Sequence, residues 1–184
     1  MLPKYKYLLT YRYAEIIHDL TVEFVKKYID YKSRTKDQME QAARSGKQNI
    51  VEGVSGGQTS KKTEIKLLGV AKASFEELLT DYEDFLRQRS LPIFPKNHPK
   101  IASFRQSAYR LSNLRNLNAL GNLVEKPKLL GNPTDDGNFL LTLCHQESFL
   151  LDKQIKAAEN KFITEGGYSE NLFKKRLEKR NEKS

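Results

Sequence analysis

Hydrophobic residues recur at intervals of three and four along most of the chain, and this spacing constrains the fold more than any other feature. Because an α-helix turns once in about 3.6 residues, such intervals place apolar side chains on one stripe that can face a core. The chain has no alternating runs of β-branched residues, so we predict an all-α protein. The predicted helices cover 5–32, a stretch that ends at Gly53, Ile65 to Phe85, 101–114 and 140–162.

Capping residues and glycines mark the ends of several predicted helices. Thr59 or Ser60 stands just before the third helix, where a hydroxyl can accept a hydrogen bond from a first-turn N–H group. Gly166 and Gly167 follow the last long stripe and predict its end, because glycine adopts the conformations that close a helix. Ser169 can then cap a short, charged C-terminal helix.

Long helices joined by short turns are typical of an antiparallel bundle. With 184 residues the chain is long enough to bury one core of this kind. We predict an antiparallel four-helix bundle over 1–165, with an inserted basic helical segment over 91–132, and a short C-terminal suffix helix over 166–184. The least regular parts should be about 88–100 and 121–135, where proline, glycine and asparagine gather.

The single cysteine, Cys144, excludes the disulfide scaffolds of small secreted proteins and zinc sites built from several thiolates. It lies on an apolar stripe, which favours a packed thiol over a reactive one. No apolar run is long enough for a signal peptide or a membrane span. We therefore expect a soluble, cytoplasmic protein with no membrane partner.

The histidines and carboxylates form no complete catalytic or metal-binding pattern. Di-iron bundles need a Glu-x-x-His pair on each of two helices, and Glu15 with His18 is the only such pair. The triplet from His145 to Glu147 has the His-x-Glu order of zinc deaminases, but their Pro-Cys-x-x-Cys motif is absent. We predict no catalytic residue, no metal site, no cofactor and no enzymatic activity.

Two polar residues lie where the predicted bundle should be apolar. Asn49 precedes Ile50 in the second helix, and Glu147 lies in the stripe of the last long helix. Buried polar groups need hydrogen-bond partners, so we interpret both as structural residues whose partners the sequence does not identify.

The chain is basic, with 32 Lys and Arg against 23 Asp and Glu and a formal net charge of +9. Two segments hold the whole excess: 85–124 has seven basic residues and no acidic one, and 171–184 has a net charge of +4, whereas the rest of the chain sums to −2. Positive charge on this scale favours contact with a phosphate backbone, which needs no readout of bases. The alternative is a protein whose high pI serves no binding role.

A loop rich in glycine and hydroxyl residues, from Gly53 to Glu64, places Lys61 and Lys62 at the start of the third helix. N–H groups at a helix start attract anions, whereas two lysines oppose the helix dipole there. The spacing does not fit the Gly-x-x-x-x-Gly-Lys-Ser/Thr of nucleotide-hydrolysing loops. The loop therefore indicates a phosphate contact or, as the plainer alternative, two solvated lysines.

The candidate phosphate-contacting residues share a positive charge and a place in this loop or on a predicted helix. They are Arg44, Lys47, Lys61, Lys62, Lys66, Arg87, Arg89, Arg105 and Arg110.

Several segments resemble a known bacterial family. Gln41–Gly53 reads Gln-Ala-Ala-Arg-Ser-Gly-Lys-Gln-Asn-Ile-Val-Glu-Gly, and Thr59–Leu79 contains Ser-Phe-Glu-Glu-Leu at 74–78. Both resemble the small four-helix-bundle proteins first noticed as open reading frames in intervening sequences of large-subunit rRNA genes. Residues 145–158 and 162–170 are similar to the subfamily with an added C-terminal suffix, so the resemblance covers nearly the whole chain.

This resemblance implies partners as well as a fold. Relatives in the family include the accessory variability determinant proteins of diversity-generating retroelements, which are basic bundles that form pentamers and bind both nucleic acid and a reverse transcriptase. By resemblance we expect a homo-oligomer, for which the pentamer of the relatives is one form, a basic surface and no enzymatic activity.

Charge and resemblance together predict a noncatalytic, oligomeric helical bundle that binds structured RNA, or an RNA-protein complex, rather than duplex DNA. The alternative is a protein-protein adaptor, for instance an accessory subunit of a reverse transcriptase, whose suffix helix or small-residue helix docks the partner. Binding through apolar residues such as Leu172 and Phe173 would then survive high salt.

Overall fold

Six α-helices and two short 3₁₀ turns make up the regular structure of the described residues. The computed structural model describes residues 2–57 and 59–181. The helices are α1 (Leu9–Tyr28), α2 (Arg34–Gly56), α3 (Lys61–Gln88), α4 (Pro99–Leu111), α5 (Pro133–Glu165) and α6 (Tyr168–Asn181), and the 3₁₀ turns are Lys4–Tyr7 and Leu114–Asn116. Strand-like pairing within the described residues is limited to an isolated bridge between Leu117 and Leu123. The predicted all-α class is confirmed.

Helices α1, α2, α3 and α5 form a bundle in which each helix packs against two neighbours in a closed ring. α1 and α5 run in opposite directions, because Thr10 early in α1 bonds Gln154 late in α5, whereas Tyr28 at the end of α1 bonds Asp136 near the start of α5. The apolar stripes of the four helices meet in one continuous core of aliphatic and aromatic side chains. The predicted helical bundle is thus the observed architecture.

α2 and α3 approach closely because glycines stand in α2 where a side chain would collide. A Cβ atom on Gly46 would lie 2.6 Å from the ring of Phe75, which is fully buried in α3. Gly53 is also buried, and its Cα faces Leu67 of α3 so closely that an added Cβ would lie 3.3 Å from it. α2 runs through Gly53 and ends at Gly56, so the predicted end at Gly53 is wrong. This glycine allows close helix packing instead of stopping the helix.

We expect Gly46→Ala to lower the free energy of unfolding by about 1–3 kcal/mol, since the added methyl group collides with a ring that the filled core holds in place. Gly69→Ala is the matched control, because Gly69 is an exposed residue of α3 and an added Cβ meets nothing within 4 Å. The control should gain about 0.5–1 kcal/mol from helix propensity. Urea denaturation followed by circular dichroism measures both variants, and a Gly46→Ala protein as stable as the control would contradict the close packing.

α4 lies along the first half of α5 as an additional layer on the bundle. Phe104 packs against Phe139 with ring centroids 5.4 Å apart, and Lys100 pairs with Asp135 at 2.7 Å. Every residue from Asp136 to Cys144 is buried, which one apolar stripe facing one core would not produce. The inserted segment therefore covers a helix that would otherwise expose a second apolar side.

Helix starts follow local capping more closely than the apolar pattern. α1 begins at Leu9 and not at residue 5, because Lys4–Tyr7 forms a 3₁₀ turn. α5 begins at Pro133, a full two turns before residue 140, and the side chain of Asn132 caps it. Ser60 caps α3 by accepting a hydrogen bond from a first-turn N–H group, as the sequence predicts.

Helix ends also differ from the predictions. α1 ends at Tyr28 and not at residue 32, because the backbone turns extended at Ile29. α4 ends at Leu111 and not at residue 114, so Arg115 lies outside the helix and is exposed. Gly166, with φ of 74°, closes α5 as predicted, because that left-handed conformation favours glycine.

α6 is the described part of the predicted suffix helix, whose last residues, 182–184, lie outside the described ranges. Ser169 falls inside α6, so its predicted role as the cap is wrong. The Glu170 side chain takes that role by accepting a hydrogen bond from the Gly167 N–H group at 2.9 Å. Every residue of α6 except Asn171 is exposed.

The three interior residues that the sequence singles out have different surroundings. Cys144 is fully buried, as predicted, and burial raises the pKa of its thiol. Glu147 is fully buried as well, yet neither carboxyl oxygen has a hydrogen-bond partner among the described residues. Asn49 is only partly buried and donates to the carbonyl oxygen of Ser45, one turn earlier in α2.

Candidate nucleic-acid interface

The nine predicted phosphate-contacting residues lie on four parts of the surface and not on one. Two are on α2, three at the start of α3, two at its end and two on α4. α3 has 28 residues and is therefore about 40 Å long, which separates its two basic ends by most of the length of the bundle. A short nucleic-acid segment cannot contact all nine residues together.

Three of the nine form ion pairs with nearby carboxylates, which lowers the local positive charge. The pairs are Lys61 with Glu64 at 2.5 Å, Arg87 with Asp84 at 2.6 Å, and Arg110 with Glu125. Ion pairs this near the surface contribute little to stability, so a phosphate can compete with the carboxylate for the cation. The loop lysine Lys61 is the least accessible of the three cations.

Two further candidates lie against aromatic rings. The guanidinium carbon of Arg89 is 4.1 Å from the ring centre of Phe85, and Arg89 also donates to the carbonyl oxygen of Tyr28 at 3.3 Å. Lys62 places its Nζ atom 5.9 Å from the ring centre of Phe162. Arg89 therefore joins the end of α3 to the end of α1, and this structural role accounts for its position.

The α2 residues Arg44 and Lys47 flank a histidine of α1. Nζ of Lys47 lies 3.0 Å from Nδ1 of His18, which accepts its hydrogen bond. Burial, together with the positive charges of Lys47 and Arg44, lowers the pKa of His18 to about 4. His18 is therefore neutral near pH 7 and leaves the two cations as the charged groups of this small cluster.

Arg44, Lys66 and Arg105 have no acidic partner among residues 2–57 and 59–181. Arg44 stands on α2 and Lys66 on α3. Arg105 differs from both, because it belongs to a helix whose outward side carries an exposed ring.

That ring is Tyr109, and it lies at the centre of the surface that best fits a nucleic acid. Tyr109 is 65% exposed, although it belongs to a helix that packs on the bundle. Residues three and four apart on a helix are neighbours, so Arg105 and Gln106 stand beside it. Asn113, just after the end of α4, lines the same surface depression as Tyr109. We define the α4 face as Arg105, Gln106, Tyr109, Arg110, Asn113 and Arg115.

The α4 face includes a shallow depression of about 440 Å³, lined by Tyr109 with flanking arginine and amide side chains. A neighbouring depression of about 530 Å³ shares Arg110 and adds Lys126 and Lys128 from the inserted segment. Glu125 is the single carboxylate that lines either one. The two depressions together form a positive surface, and the exposed Tyr109 ring lines one of them.

Of the predicted residues, only Arg105 and Arg110 are on this face, and Tyr109 is missing from the prediction. The apolar stripe of this helix, Ile101, Phe104, Ala108 and Leu111, leaves Tyr109 on the opposite side. An aromatic residue on the polar side of an amphipathic helix, next to arginine, is therefore the signal that would have identified it.

The residues considered for a metal site are engaged in other contacts. Glu15 accepts a hydrogen bond from the Tyr11 hydroxyl at 3.1 Å, and His18 accepts one from Lys47. In the ranges 2–57 and 59–181, no three His, Cys, Asp or Glu side chains gather in a way that could hold a metal ion. The helices of the same ranges include none with the length and apolar content needed to cross a bilayer.

Comparison of the chain with models of known protein families, with curated proteins and with solved structures gives no match. The resemblance to the rRNA intervening-sequence family, and with it the homo-oligomer, the pentamer and the reverse-transcriptase partner, stays a prediction.

Proposed function

We propose that this protein is a noncatalytic RNA-binding protein that uses the α4 face to bind unpaired segments of structured RNA. The observation that carries the proposal is the exposed ring of Tyr109 among arginine and amide side chains, within a stretch from 85 to 124 that has no acidic residue. Unpaired bases stack on aromatic rings and guanidinium planes, while arginine and lysine neutralise the phosphates.

The polar composition of the face favours single-stranded RNA over a duplex. Gln106 and Asn113 border the Tyr109 depression, and amide side chains can both donate to and accept from base edges. Asn116 also borders it, but its amide is bonded to the backbone of Leu111 and Glu125. In a duplex those edges and the base faces are stacked or paired, so the ring would have nothing to stack on. Lys126 and Lys128 extend the positive surface along the path that the backbone of a bound strand would take.

We expect Tyr109→Ala to weaken binding of a loop-containing RNA hairpin about tenfold, the loss that follows from removing one stacked base. Tyr31→Ala is the matched control, because Tyr31 is 80% exposed but lies in the turn between α1 and α2. Fluorescence anisotropy with a fluorescein-labelled hairpin, and with an RNA duplex of the same stem, measures both affinities.

Removing Arg105 and Arg115 together should also lower the slope of log K against the logarithm of the salt concentration by about one to one and a half.

Two outcomes would contradict the proposed function. One is a wild-type protein that does not bind the hairpin at low salt. The other is a Tyr109→Ala protein that binds it as tightly as the Tyr31→Ala control does, since stacking on this face would then contribute nothing.

A further inference from the structure

A second concave surface lies beside the α4 face, between α3, α5 and the stretch that precedes α4, and Arg105 borders both surfaces. This groove has a volume of about 670 Å³, within the range of sites that hold a small molecule or a few residues of a peptide. Its apolar lining includes Ile93, Leu141 and Phe149. Ile93 is 48% exposed and Phe149 is 57% exposed, so two large apolar side chains face solvent at one place.

The wall of the groove is held in place before any ligand binds. Asn138 of α5 accepts a hydrogen bond from the Phe94 N–H group at 2.7 Å and donates one to the Pro92 carbonyl at 2.9 Å. The Phe94 ring stacks on His98 with centroids 4.0 Å apart. A preformed wall lowers the entropy that binding must overcome.

The charges around the groove favour an anionic ligand. Lys96 and Arg105 line it, and neither has an acidic partner among the described residues. Lys153 lies at its edge, with Nζ 4.6 Å from the ring centre of Phe149. Glu83 is the single carboxylate in the lining.

The groove also contains an acceptor that lacks a donor. Oε1 of Gln146 is buried and makes no hydrogen bond with any described residue, although Gln146 lines the groove. An unpaired buried carbonyl is unfavourable, and a hydrogen bond from a ligand N–H group would satisfy it.

We propose that this groove binds a short acidic segment of a partner protein, with an apolar side chain placed between Ile93 and Phe149. A peptide supplies the three groups that the groove requires: an apolar side chain, a carboxylate for Lys96 or Arg105, and a backbone N–H group for Gln146. RNA has no aliphatic side chain, and a fatty acid has no N–H group. The α6 helix of a second copy has five basic and two acidic residues, so its charge repels the groove.

Selection from a random peptide display library tests the proposal, with the full-length Phe149→Glu protein used to remove peptides that bind elsewhere. Phe149 is exposed, so this substitution leaves the core filled. Selected peptides should combine Asp or Glu with Leu, Ile, Met or Phe. A synthetic peptide of the selected sequence should bind the wild type and lose at least about tenfold in affinity with Phe149→Glu, because one buried apolar side chain contributes about that much.

Control variants distinguish this site from other surfaces. Phe173→Glu, at a residue that is 61% exposed in α6, should bind the peptide like the wild type. Tyr109→Ala should do the same, so that peptide binding is judged independently of RNA binding. Lys96→Glu should bind the acidic peptide more weakly than the wild type does. It should bind more tightly than the wild type a peptide in which lysine replaces the acidic residue.

Three results would overturn the proposal. The first is that no peptide binds the wild type in preference to Phe149→Glu. The second is that the selected peptides are basic or lack apolar residues. The third is that the chosen peptide binds Lys96→Glu as tightly as it binds the wild type.

Discussion

Asp136→Ala is expected to lower the free energy of unfolding by about 3–4 kcal/mol, the largest loss that we expect from a single substitution. The Asp136 carboxylate is fully buried and accepts hydrogen bonds from the Tyr28 hydroxyl at 2.7 Å and from the N–H groups of Leu130 and Gly131. Lys27 lies 3.6 Å away and supplies a positive charge. Alanine would leave all three donors without an acceptor.

Asp135→Ala is the matched control, one residue earlier in the first turn of α5. Asp135 pairs with the half-exposed Lys100 and with Asn132, so its removal should cost about 1 kcal/mol or less. Urea denaturation followed by circular dichroism gives both values at one pH. Equal losses for the two variants would mean that the buried carboxylate does not hold the chain as described.

The expected loss is large because Asp136 is one of three buried polar residues that fix the inserted segment to the bundle. Asn138 holds the stretch before α4, as described above. Arg12 of α1 donates to the carbonyl oxygen of Ser112, just after α4, at 2.5 Å. Asp136 holds Leu130 and Gly131 just before α5. The three anchors fix the start, the middle and the end of the insertion, and so they position both the α4 face and the groove.

The helices could be predicted from the sequence because each of them buries a stripe of regularly spaced residues. The stripe in α1 includes Ile17, Leu20 and Phe24, which the structure places in the core. A helix that is covered on several sides has no single apolar stripe, so the spacing of apolar residues does not mark where it begins. This is why the predicted start of α5 at residue 140 was wrong. The predicted end of α2 at Gly53 was wrong because the sequence does not distinguish a glycine that ends a helix from one that allows two helices to pack closely.

The candidate interface was less predictable than the fold, because the net charge of a surface depends on ion pairs between residues that are distant in sequence. The absence of acidic residues from 85–124 favoured Arg110 as a phosphate-contacting residue. Glu125, just outside that stretch, nevertheless forms an ion pair with it. Arg89 is basic and on the surface, but its contacts hold two helix ends together. The apolar stripe of α4 leaves Tyr109 on the opposite side, and the structure shows how far the ring is exposed there.

Glu147→Met is expected to raise the free energy of unfolding by about 2 kcal/mol near pH 8 and by less near pH 5, because it replaces an unpaired buried carboxyl with an apolar side chain of similar length. Burial raises the pKa of Glu147 well above the ordinary value of a glutamate. The folded protein therefore keeps this proton at a pH where the unfolded chain has released it.

The sign of the pH dependence follows from that difference. Above the ordinary glutamate pKa of about 4.3 the unfolded chain binds fewer protons at this position, so wild-type stability falls as the pH rises toward the raised folded pKa. Glu147→Met removes this contribution and should flatten the decline between about pH 5 and pH 8. Glu159→Met, at an exposed residue of the same helix, is the control and should change stability by less than about 0.5 kcal/mol at either pH. A Glu147→Met protein with the same pH dependence as the wild type would show that Glu147 is not the group that retains the proton.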